Sequence, residues 1–265
     1  MPPVQRCAAC SETGTTLSLI VPVYNEAENF PALLAEVERW VPAPFVMYVV
    51  YDHEADTTLP VARQLAQTRP WLRLTRNQEG RGVIGAIRTG FQAARSGPAL
   101  VIMADLSDDL RVIPDLLKLY QQGYRIVCPS RYMSGGRQLG GPWLKKMLSR
   151  SAGWILYHLA GFPTHDATNN FRLYDAELVQ RLGIESRGGF ELALELTAKA
   201  FRRGVPIAEY PATWRDRVAG QSRFQLRKWL PRYLYWFGYA LRAGWSHWLT
   251  PVSSFFSLCR REAHT

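Results

Sequence analysis

The first half of the chain alternates apolar segments of strand length with amphipathic segments of helix length. This pattern predicts buried strands at 17–23, 45–51, 71–75 and 99–103, each followed by a helical segment. Parallel strands require a crossover connection, which is usually a helix. The order therefore predicts an α/β fold in which a mostly parallel sheet is covered by helices on both faces.

Polar residues cluster directly after three of these strands. The clusters are Tyr24-Asn25-Glu26, Asp52-His53-Glu54-Ala55-Asp56 and Ala104-Asp105-Leu106-Ser107-Asp108-Asp109. Open α/β sheets bind their ligands at the carboxyl ends of the strands, so 17–130 is predicted to be a nucleotide-binding half. Neither a dinucleotide-binding glycine turn of the type G-x-G-x-x-G nor a P-loop G-x-x-x-x-G-K-[ST] is predicted after these strands, which disfavours a dinucleotide or P-loop site.

Charge and cysteine content narrow the range of partners. The 265 residues include 32 Lys and Arg against 22 Asp and Glu, a formal net charge of +10, which points to an anionic partner. No nucleic-acid reader motif is present, and the acidic clusters argue against nucleic acid as that partner. Four cysteines are too few for a disulfide framework, and the N-terminal segment lacks the apolar region of a signal peptide. These features predict a cytoplasmic protein.

Three parts are predicted along the chain: a flexible segment 1–16, a domain at 17–223 and a helical tail at 224–265. The tail is rich in tryptophan, arginine and lysine, and its uncharged runs are shorter than the roughly 20 apolar residues of a membrane-spanning helix. No transmembrane helix is therefore expected. An aromatic and basic helix of this type either lies at a lipid interface or packs on the domain, and the sequence leaves both open.

A series of motifs occurs in a fixed order between residues 17 and 230. The motifs are SLIVPVYNE at 18–26, VVYDHEADTT at 49–58, GRGVIGAIRTGF at 80–91, MADLSDD at 103–109, PSRYMSGG at 129–136, DATNNFR at 166–172, FELALEL at 190–196 and EYPATWRDRVAGQSRF at 209–224. Together they resemble the family 2 glycosyltransferases of the GT-A fold, and most closely the dolichol-phosphate mannose synthase-like branch. A series of ordered motifs is far more specific than one short pattern.

The resemblance implies an inverting enzyme that transfers a hexose of mannose or glucose type from a nucleotide sugar to a polyprenyl phosphate. It also implies a divalent cation, Mg²⁺ or Mn²⁺, and leaves both GDP-mannose and a UDP-hexose open as the donor. The fold it implies is a Rossmann-like sheet in which 17–130 binds the nucleotide and 131–223 receives the acceptor. A membrane surface is a further partner to consider, because the acceptor is a lipid.

The resemblance also identifies a metal ligand. Asp105 matches the last Asp of the family's Asp-x-Asp motif, and carboxylate oxygen is the ligand type that hard cations prefer. Met103 stands where the family commonly has the first Asp, and a thioether is a poor ligand for such a cation. Asp108 is left open as a compensating ligand, whereas Asp109 is interpreted as a helix cap before Leu110.

Nucleotide-binding residues are carried over in the same way. They are Pro22, Tyr24, Glu26, Asp52, Gly82 and Ala104. Asp52 is expected to accept hydrogen bonds from the base, with Pro22 and Glu26 lining the same edge. Tyr51 replaces the first acid of the family's usual pair, which leaves the choice of base open.

The acceptor side is predicted to be cationic. A phosphate monoester is already ionised at neutral pH and acts as its own nucleophile, so it needs positive charge more than a general base. Arg131, Lys145, Ser149 and Arg217 match family positions that hold the donor or acceptor phosphates, and Asp105, Arg131 and Arg217 are the predicted catalytic groups. Lys145 and Ser149 are spaced to share one helix face.

A sugar pocket is predicted around Asp166, Asn169, Asn170 and Glu195, since hexose hydroxyls need paired donors and acceptors. Two alternatives stay open within this set. Asp166 also fits a turn or cap residue, and Glu195 also fits a structural ion pair.

Two other functions are carried alongside the leading one. The first is a glycosyltransferase that acts on a soluble hydroxyl acceptor, with Glu191, Glu195 or Asp166 as the general base. The second is a nucleotide-sugar-binding module with impaired turnover, which Met103 and Tyr51 suggest.

Overall fold

A seven-stranded sheet forms the centre of the molecule. The computed structural model describes residues 16–188, 191–216 and 226–249, the last with side chains from 230 to 244. The strands of the sheet are β1 (Leu17–Pro22), β2 (Phe45–Tyr51), β3 (Leu72–Arg76), β4 (Pro98–Val101), β5 (Ile126–Ser130), β7 (Arg172–Asp175) and β8 (Ile207–Pro211). A separate two-stranded sheet pairs β6 (Arg137–Leu139) with β9 (Thr213–Arg215).

The strand order of the large sheet is β3-β2-β1-β4-β7-β5-β8. Pairing is parallel from β3 through β4 and again between β5 and β8. β7 is antiparallel to both of its neighbours, β4 and β5. The sheet is therefore mostly parallel, as predicted, and the carboxyl ends of β1, β2 and β4 lie at one edge.

Helices cover both faces of this sheet. They are α1 (Phe30–Trp40), α2 (Thr58–Ala66), α3 (Val83–Ala94), α4 (Ile113–Gln121), α5 (Trp143–Ala160), α6 (Ala176–Leu182), α7 (Leu192–Arg202) and α8 (Leu226–Leu249), with a 3₁₀ turn at Leu110–Val112 before α4. In β1, Leu19 and Val21 belong to one core and Ile20 belongs to the core on the opposite face. Full burial of each such side chain stabilises the fold by about 1.5–3 kcal/mol, which explains why β1 is apolar at almost every position.

Helix α8, which lies within the predicted tail, packs on α5 and α7. Trp236 and Ala240 of α8 are buried against Leu156 of α5 and against Leu194 and Ala198 of α7. Of the two arrangements that the sequence left open, packing on the domain therefore accounts for this face of α8. Within the described residues, no helix has the length and apolarity needed to cross a membrane.

Element boundaries agree closely in the first half and less well afterwards. The predicted helix at 30–40 and strand at 45–51 match α1 and β2 residue for residue. The antiparallel strand β7 was not predicted, because it begins at Arg172, a charged residue that is fully buried. A charge at such a position hides the apolar run that marks a buried strand.

The same substitution at two glycines of α8 is expected to change the stability of the fold in opposite directions. A Cβ on Gly238 would meet no atom within 4 Å, whereas a Cβ on Gly244 would lie 2.1 Å from the carbonyl oxygen of Ala160. Gly238→Ala should raise the free energy of unfolding by about 0.5–1 kcal/mol, because alanine loses less backbone entropy in a helix. Gly244→Ala should lower it by about 1–3 kcal/mol, because α8 must move away from α5. Urea unfolding of both variants measures the difference, and equal effects would contradict the packing of α8 on α5.

Candidate active site

Asp52 holds the turn that leads into α3. Its Oδ1 accepts a hydrogen bond from Asn77 Nδ2 at 2.6 Å, and its Oδ2 accepts one from the backbone N of Gly82 at 2.9 Å. Gly82 has φ of 103°, a conformation that favours glycine, and this turns its N–H toward Asp52. The carboxylate was predicted to accept hydrogen bonds from a base. In this structure it organises the loop, while each oxygen retains a second lone pair for a ligand.

The turn at 80–85 corrects the prediction that no G-x-G-x-x-G turn follows the strands. Gly80, Gly82 and Gly85 have the spacing G-x-G-x-x-G immediately before α3. A Cβ on Gly85 would lie 1.8 Å from the carbonyl oxygen of Gly80, so the tight turn requires glycine there. Asn77 supports the turn by donating from Nδ2 to the same carbonyl oxygen at 2.7 Å.

Tyr24 and Glu26 lie on the loop that follows β1, which ends at the buried Pro22. The backbone N of Glu26 donates to Thr58 Oγ1 at 2.9 Å, and Glu26 Oε2 accepts from Asn29 Nδ2 at 2.8 Å. The ring of Tyr24 is exposed and lies edge-on to His53, with 5.7 Å between the ring centroids. Of the predicted nucleotide-binding residues, Tyr24, Glu26 and Asp52 thus stand on loops at the carboxyl ends of β1 and β2.

The acidic loop after β4 brings two carboxylates close together. Asp105 follows the buried Ala104, is itself 7% exposed, and accepts a hydrogen bond at Oδ1 from the backbone N of Ser107 at 3.2 Å. Asp108 folds back so that its Oδ2 accepts from the backbone N of Met103 at 3.1 Å. Desolvation, followed by repulsion from Asp105, raises the pKa of Asp108 from its ordinary value of 3.8 to about 8.

Asp109 has the capping role that the sequence predicted. Its side chain accepts from the backbone N of Arg111 at the start of the 3₁₀ turn, and it pairs with the Arg111 guanidinium at 2.8 Å. The neighbouring acids therefore differ in function, because Asp108 points back toward Met103 while Asp109 faces an exposed arginine.

The acidic loop suits a divalent cation. Within the described residues no group of three or more His, Cys, Asp or Glu side chains is arranged to hold a metal. Mg²⁺ and similar ions are often bound through one or two carboxylates together with phosphate oxygens and water. Asp105 and Asp108 would therefore supply as many protein ligands as such an ion needs. The repulsion that raises the pKa of Asp108 is what a cation between the two carboxylates would relieve. Met103 contributes no oxygen ligand.

The raised pKa of Asp108 predicts how stability depends on pH. The folded chain binds the Asp108 proton more tightly than the unfolded chain, so this group costs stability as pH rises from about 4 to 8, and the full cost persists above that. Asp108→Asn removes the titration and keeps an acceptor for Met103 N. Relative to the parent chain, the free energy of unfolding of this variant should gain roughly 4 kcal/mol more at pH 9 than at pH 5.

The control for this measurement is Asp115→Asn. Lys118 and Tyr210 lower the pKa of Asp115, so its charge contributes stability at neutral pH and its loss should cost stability. Denaturant unfolding at the two pH values gives both results. A constant effect of Asp108→Asn between pH 5 and 9 would contradict the coupling to Asp105.

Arg131 is the centre of the side that the sequence predicts to bind the acceptor. Its guanidinium grips Asp166 through Nε to Oδ2 at 2.6 Å and through Nη2 to Oδ1 at 2.8 Å, and its backbone N donates to Oδ2 at 3.1 Å. The Asp166 side chain is fully buried, and Arg131 lowers its pKa. Asp166 was predicted to line the sugar pocket. Both of its oxygens accept hydrogen bonds from Arg131, and a place in the sugar pocket stays a prediction.

The helix α5 adds a hydroxyl pair to Arg131. Nη2 of Arg131 lies 3.3 Å from Ser149 Oγ and 3.2 Å from Thr168 Oγ1, and the two hydroxyls are 2.5 Å apart. Ser149 is therefore where the sequence placed it, beside Arg131, and Lys145 lies one turn earlier on the same helix. Thr168 was not predicted as a site residue.

Asn169 and Asn170 are both 7% exposed. Asn169 is held by the backbone, since its Nδ2 donates to Pro129 O at 3.1 Å and its Oδ1 accepts from Phe171 N at 3.3 Å. Oδ1 of Asn170 has no hydrogen-bond partner among the described residues. A buried acceptor of this kind needs a donor, such as a hydroxyl, and Asn170 remains a candidate for the sugar pocket.

Glu195 lies inside the packing of α7. Its carboxylate accepts from the backbone N of Glu185 at 2.6 Å and of Ser186 at 2.7 Å, and it pairs with Lys199 Nζ at 2.6 Å. These contacts are those of the structural ion pair that the sequence left open, and a place in the sugar pocket stays a prediction.

The donor and acceptor groups lie at the same edge of the sheet. The Asp108 carboxylate interacts electrostatically with Asp105 and also with Arg131. It therefore connects the acidic loop to the Arg131 cluster, which consists of Arg131, Ser149, Asp166 and Thr168. The backbone N of Arg215 donates to Ser107 O at 3.0 Å, which brings the end of β9 to the acidic loop. Arg217, the third predicted catalytic group, lies outside the described residues.

The tail helix brings Tyr233 within electrostatic reach of the Arg131 side chain. Partial burial and the charge of Glu191 raise the pKa of Tyr233, and Arg131 acts in the opposite direction. Tyr233 on α8 is therefore close enough to feel the charges of both Glu191 and Arg131. An aromatic stripe at helical spacing most often packs in the core, so the sequence gave no sign that Tyr233 lies near these charges.

Comparison with known proteins decides the family. Residues 18–183 match the family described as glycosyl transferase family 2, and this match spans more than half of the chain. The chain belongs to glycosyl transferase family 2. It is therefore a glycosyltransferase, as the ordered motifs predicted, and Asp105 lies within the matched range.

Curated relatives agree with the predicted branch of the family. A polyprenol monophosphomannose synthase of Mycolicibacterium smegmatis is 29% identical over 222 residues, which cover 82% of this chain and 83% of the relative. A dolichol-phosphate mannosyltransferase of Pyrococcus furiosus is 29% identical over 216 residues. That alignment covers 79% of this chain and 59% of the relative, so the chain spans little more than half of the Pyrococcus protein.

Solved structures confirm the GT-A fold of this family member. One similar structure is a glucosyl-3-phosphoglycerate synthase from Mycobacterium tuberculosis, solved with Mn²⁺, UDP and glucosyl-3-phosphoglycerate. Its TM-score is 0.59 at 16% identity, and the match covers 91% of this chain and 82% of the synthase chain. A mannosyltransferase from Pyrobaculum calidifontis, solved with GDP-Man and Mn²⁺, has a TM-score of 0.58 at 16% identity, with coverage of 89% and 74%. At this level of identity the likeness concerns the fold.

Proposed function

We propose that the enzyme transfers a hexose from a nucleotide sugar to a polyprenyl phosphate with inversion at the anomeric carbon. The observation that carries this proposal is the Arg131 cluster, which joins the acidic loop on one side to the amphipathic helix α5 on the other. A site between a diphosphate-binding edge and an exposed apolar helix suits a lipid phosphate. The curated relatives, named for polyprenol and dolichol phosphate, support the same acceptor class.

On the donor side, the loops after β1 and β2 would hold the nucleotide. Tyr24, Glu26 and Asp52 stand on these loops, and the glycine turn at 80–85 leads into the N-terminus of α3, a place that favours phosphate. Both GDP-mannose and a UDP-hexose fit this description. Asp105 and Asp108 would bind Mg²⁺ or Mn²⁺, which supplies positive charge to the departing diphosphate.

On the acceptor side, the attacking group is a phosphate oxygen that needs no general base. An oxygen–carbon bond forms at the anomeric carbon as the bond to the nucleoside diphosphate breaks, so an α-linked donor yields a β-linked lipid phosphate. Arg131 and Asp166 cancel each other's charge. Arg131 would therefore act mainly by orienting the acceptor phosphate with its fixed guanidinium. Lys145 on α5 and Arg217 would add the net positive charge.

The outer face of α5 is proposed to rest on the membrane that carries the acceptor. Trp143 is 70% exposed and Met147 and Trp154 are each 55% exposed, at positions that recur on one face of the helix. Lys146 and Arg150 lie on the same helix, and a basic and aromatic helix of this kind binds an interface of anionic lipids. The proposed domain that presents this face is 17–223, with 224–265 as its tail and the enzyme on the cytoplasmic side.

Vesicle binding tests the membrane face. Trp143→Ser combined with Trp154→Ser should weaken co-sedimentation with phosphatidylglycerol vesicles by about tenfold, since each exposed indole contributes of the order of 1 kcal/mol at an interface. Transfer to a short, water-soluble alkyl phosphate should stay within threefold of the parent chain, which serves as the control. Unchanged vesicle binding would contradict the proposed orientation.

The function itself is tested by following label. The full chain is incubated with radiolabelled GDP-mannose or UDP-glucose, Mn²⁺ and vesicles that contain dolichyl or undecaprenyl phosphate, and butanol-extractable label is measured. Acid-labile label in the butanol phase with one of the donors is the expected result. Label that stays water-soluble with every donor would favour the soluble-acceptor alternative, and nucleotide binding without any transfer would favour a binding module.

A further inference from the structure

Glu209 on β8 makes three hydrogen bonds to one short segment of chain. Its Oε1 accepts from Thr164 Oγ1 at 2.8 Å and from the backbone N of His165 at 2.6 Å, and its Oε2 lies 2.7 Å from His165 Nδ1. The Glu209 side chain is 9% exposed. A carboxylate with so many partners from two consecutive residues fixes both the backbone and the side chains of that segment.

The segment that Glu209 holds leads directly to Asp166. The backbone N of Asp166 donates to Thr164 Oγ1 at 3.0 Å, so the Thr164 hydroxyl bridges Glu209 and Asp166. Asp166 in turn makes the two-pronged contact with Arg131. Three consecutive links therefore connect Glu209, which touches no predicted ligand position, to the guanidinium of Arg131.

A second branch of this network reaches the helix that carries Ser149. The His165 ring stacks on Tyr157 of α5 with 3.6 Å between ring centroids and 23° between ring planes. A Cβ on Gly153 of α5 would lie 1.9 Å from the carbonyl oxygen of His165, so helix and segment are in direct contact. The same segment thus sets the position of Asp166 and the distance of α5 from Arg131.

We propose that Glu209 is a positioning residue for transfer: through Thr164 and His165 it holds Asp166, and with it Arg131, in the orientation that receives the acceptor phosphate. This inference rests on the proposed function, since it assigns the acceptor phosphate to Arg131. A guanidinium recognises phosphate only when its plane and direction match. A displacement of about 1 Å at a reacting group can cost of the order of 100-fold in rate.

Variants at two positions separate positioning from mere stability. Glu209→Leu removes all three hydrogen bonds, whereas Glu209→Gln keeps an acceptor for Thr164 and His165 N and a donor for His165 Nδ1. Thr164→Val removes the bridging hydroxyl at nearly constant volume, and Thr164→Ser restores it. Tyr210→Phe is the matched control, because it removes one hydrogen bond of the adjacent residue on β8, that to Asp115 at 2.7 Å.

The measurements are kcat and KM for the polyprenyl phosphate, the Kd of the nucleotide with Mn²⁺, and thermal unfolding. Glu209→Leu and Thr164→Val should lower kcat/KM for the acceptor by about 10- to 100-fold and leave the nucleotide Kd within twofold. Glu209→Gln and Thr164→Ser should recover most of the activity. Glu209→Leu and Thr164→Val combined should lower kcat/KM for the acceptor little more than either change alone, because both break the same chain of hydrogen bonds.

The outcomes distinguish this inference from the proposed function. If Glu209→Leu lowers Tm, as Tyr210→Phe does, but leaves acceptor kinetics unchanged, Glu209 is structural and the inference is wrong. If Arg131→Lys also leaves transfer to polyprenyl phosphate unchanged, the assignment of the acceptor phosphate itself is wrong. Loss of activity in Arg131→Lys with normal kinetics in Glu209→Leu overturns the positioning role alone.

Discussion

Asp105→Asn is expected to lower transfer by about 10³-fold while the chain remains folded. The variant keeps an acceptor for the hydrogen bond from Ser107 N, so the loop after β4 should retain its shape. It loses the negative charge that would hold the cation beside the departing diphosphate. The rate of transfer from the labelled donor, measured at saturating Mn²⁺, tests this effect.

A second readout shows that the loss comes from the metal site. Nucleotide should raise the Tm of the parent chain more with Mn²⁺ than without it, and Asp105→Asn should lose this increment, since ligand stabilisation follows affinity. Asp105 raises the pKa of Asp108, so its neutralisation should leave the variant at least as stable as the parent chain at pH 8.

Asp109→Asn is the matched control for Asp105→Asn. Asp109 lies four residues further along the same loop, where it caps the 3₁₀ turn and pairs with the exposed Arg111. Asparagine preserves the cap, and an exposed ion pair contributes less than about 1 kcal/mol, so activity should stay within twofold. Equal losses in both variants would contradict the assignment of the cation to Asp105.

The largest expected effect on stability comes from Arg131→Ala. The substitution leaves the fully buried carboxylate of Asp166 without its cation, which should cost about 3–5 kcal/mol. It also removes the proposed phosphate contact, so transfer should fall by at least about 100-fold. Arg131→Lys keeps one positive charge but loses the two-pronged geometry, and it should remain well below the parent chain in activity.

A double variant separates the two roles of Arg131. Arg131→Ala combined with Asp166→Asn removes the buried charge together with its partner, so much of the lost stability should return. Transfer should not return, because no guanidinium faces the acceptor. Urea unfolding and a single-turnover assay provide the two measurements. Recovery of activity along with stability would mean that Arg131 serves only to neutralise Asp166.

How far the sequence predicts the molecule can be judged from particular elements. The alternating pattern of the first half predicts β1, β2 and α1 well, because these segments are buried by simple periodic faces. The motif order predicts the family, and the relatives confirm it. Beyond β5, the antiparallel β7 and the short helix α6 were missed, since a buried Arg172 interrupts the apolar pattern there.

The candidate site also contains some residues that the sequence predicts and some contacts that only the fold brings together. Asp105 was predicted from a motif that is local in sequence, and Ser149 from its match to a family position. The partner of Asp166 was not, because Arg131 lies 35 positions away in the chain. Glu209 and His165 are 44 positions apart in the chain and come into contact only in the folded structure.

Sequence alone determined the family, the alternating architecture and the residue types that chemistry on a diphosphate requires, because each of these depends on local order along the chain. Only the tertiary structure decided which charges are engaged with protein and which remain for a ligand. Asp166 and Glu195 are both buried acids, yet one holds Arg131 and the other holds Lys199 and the 185–186 backbone. The state of a buried carboxylate depends on the cations and N–H donors that packing brings to it, and spacing in sequence does not contain that information.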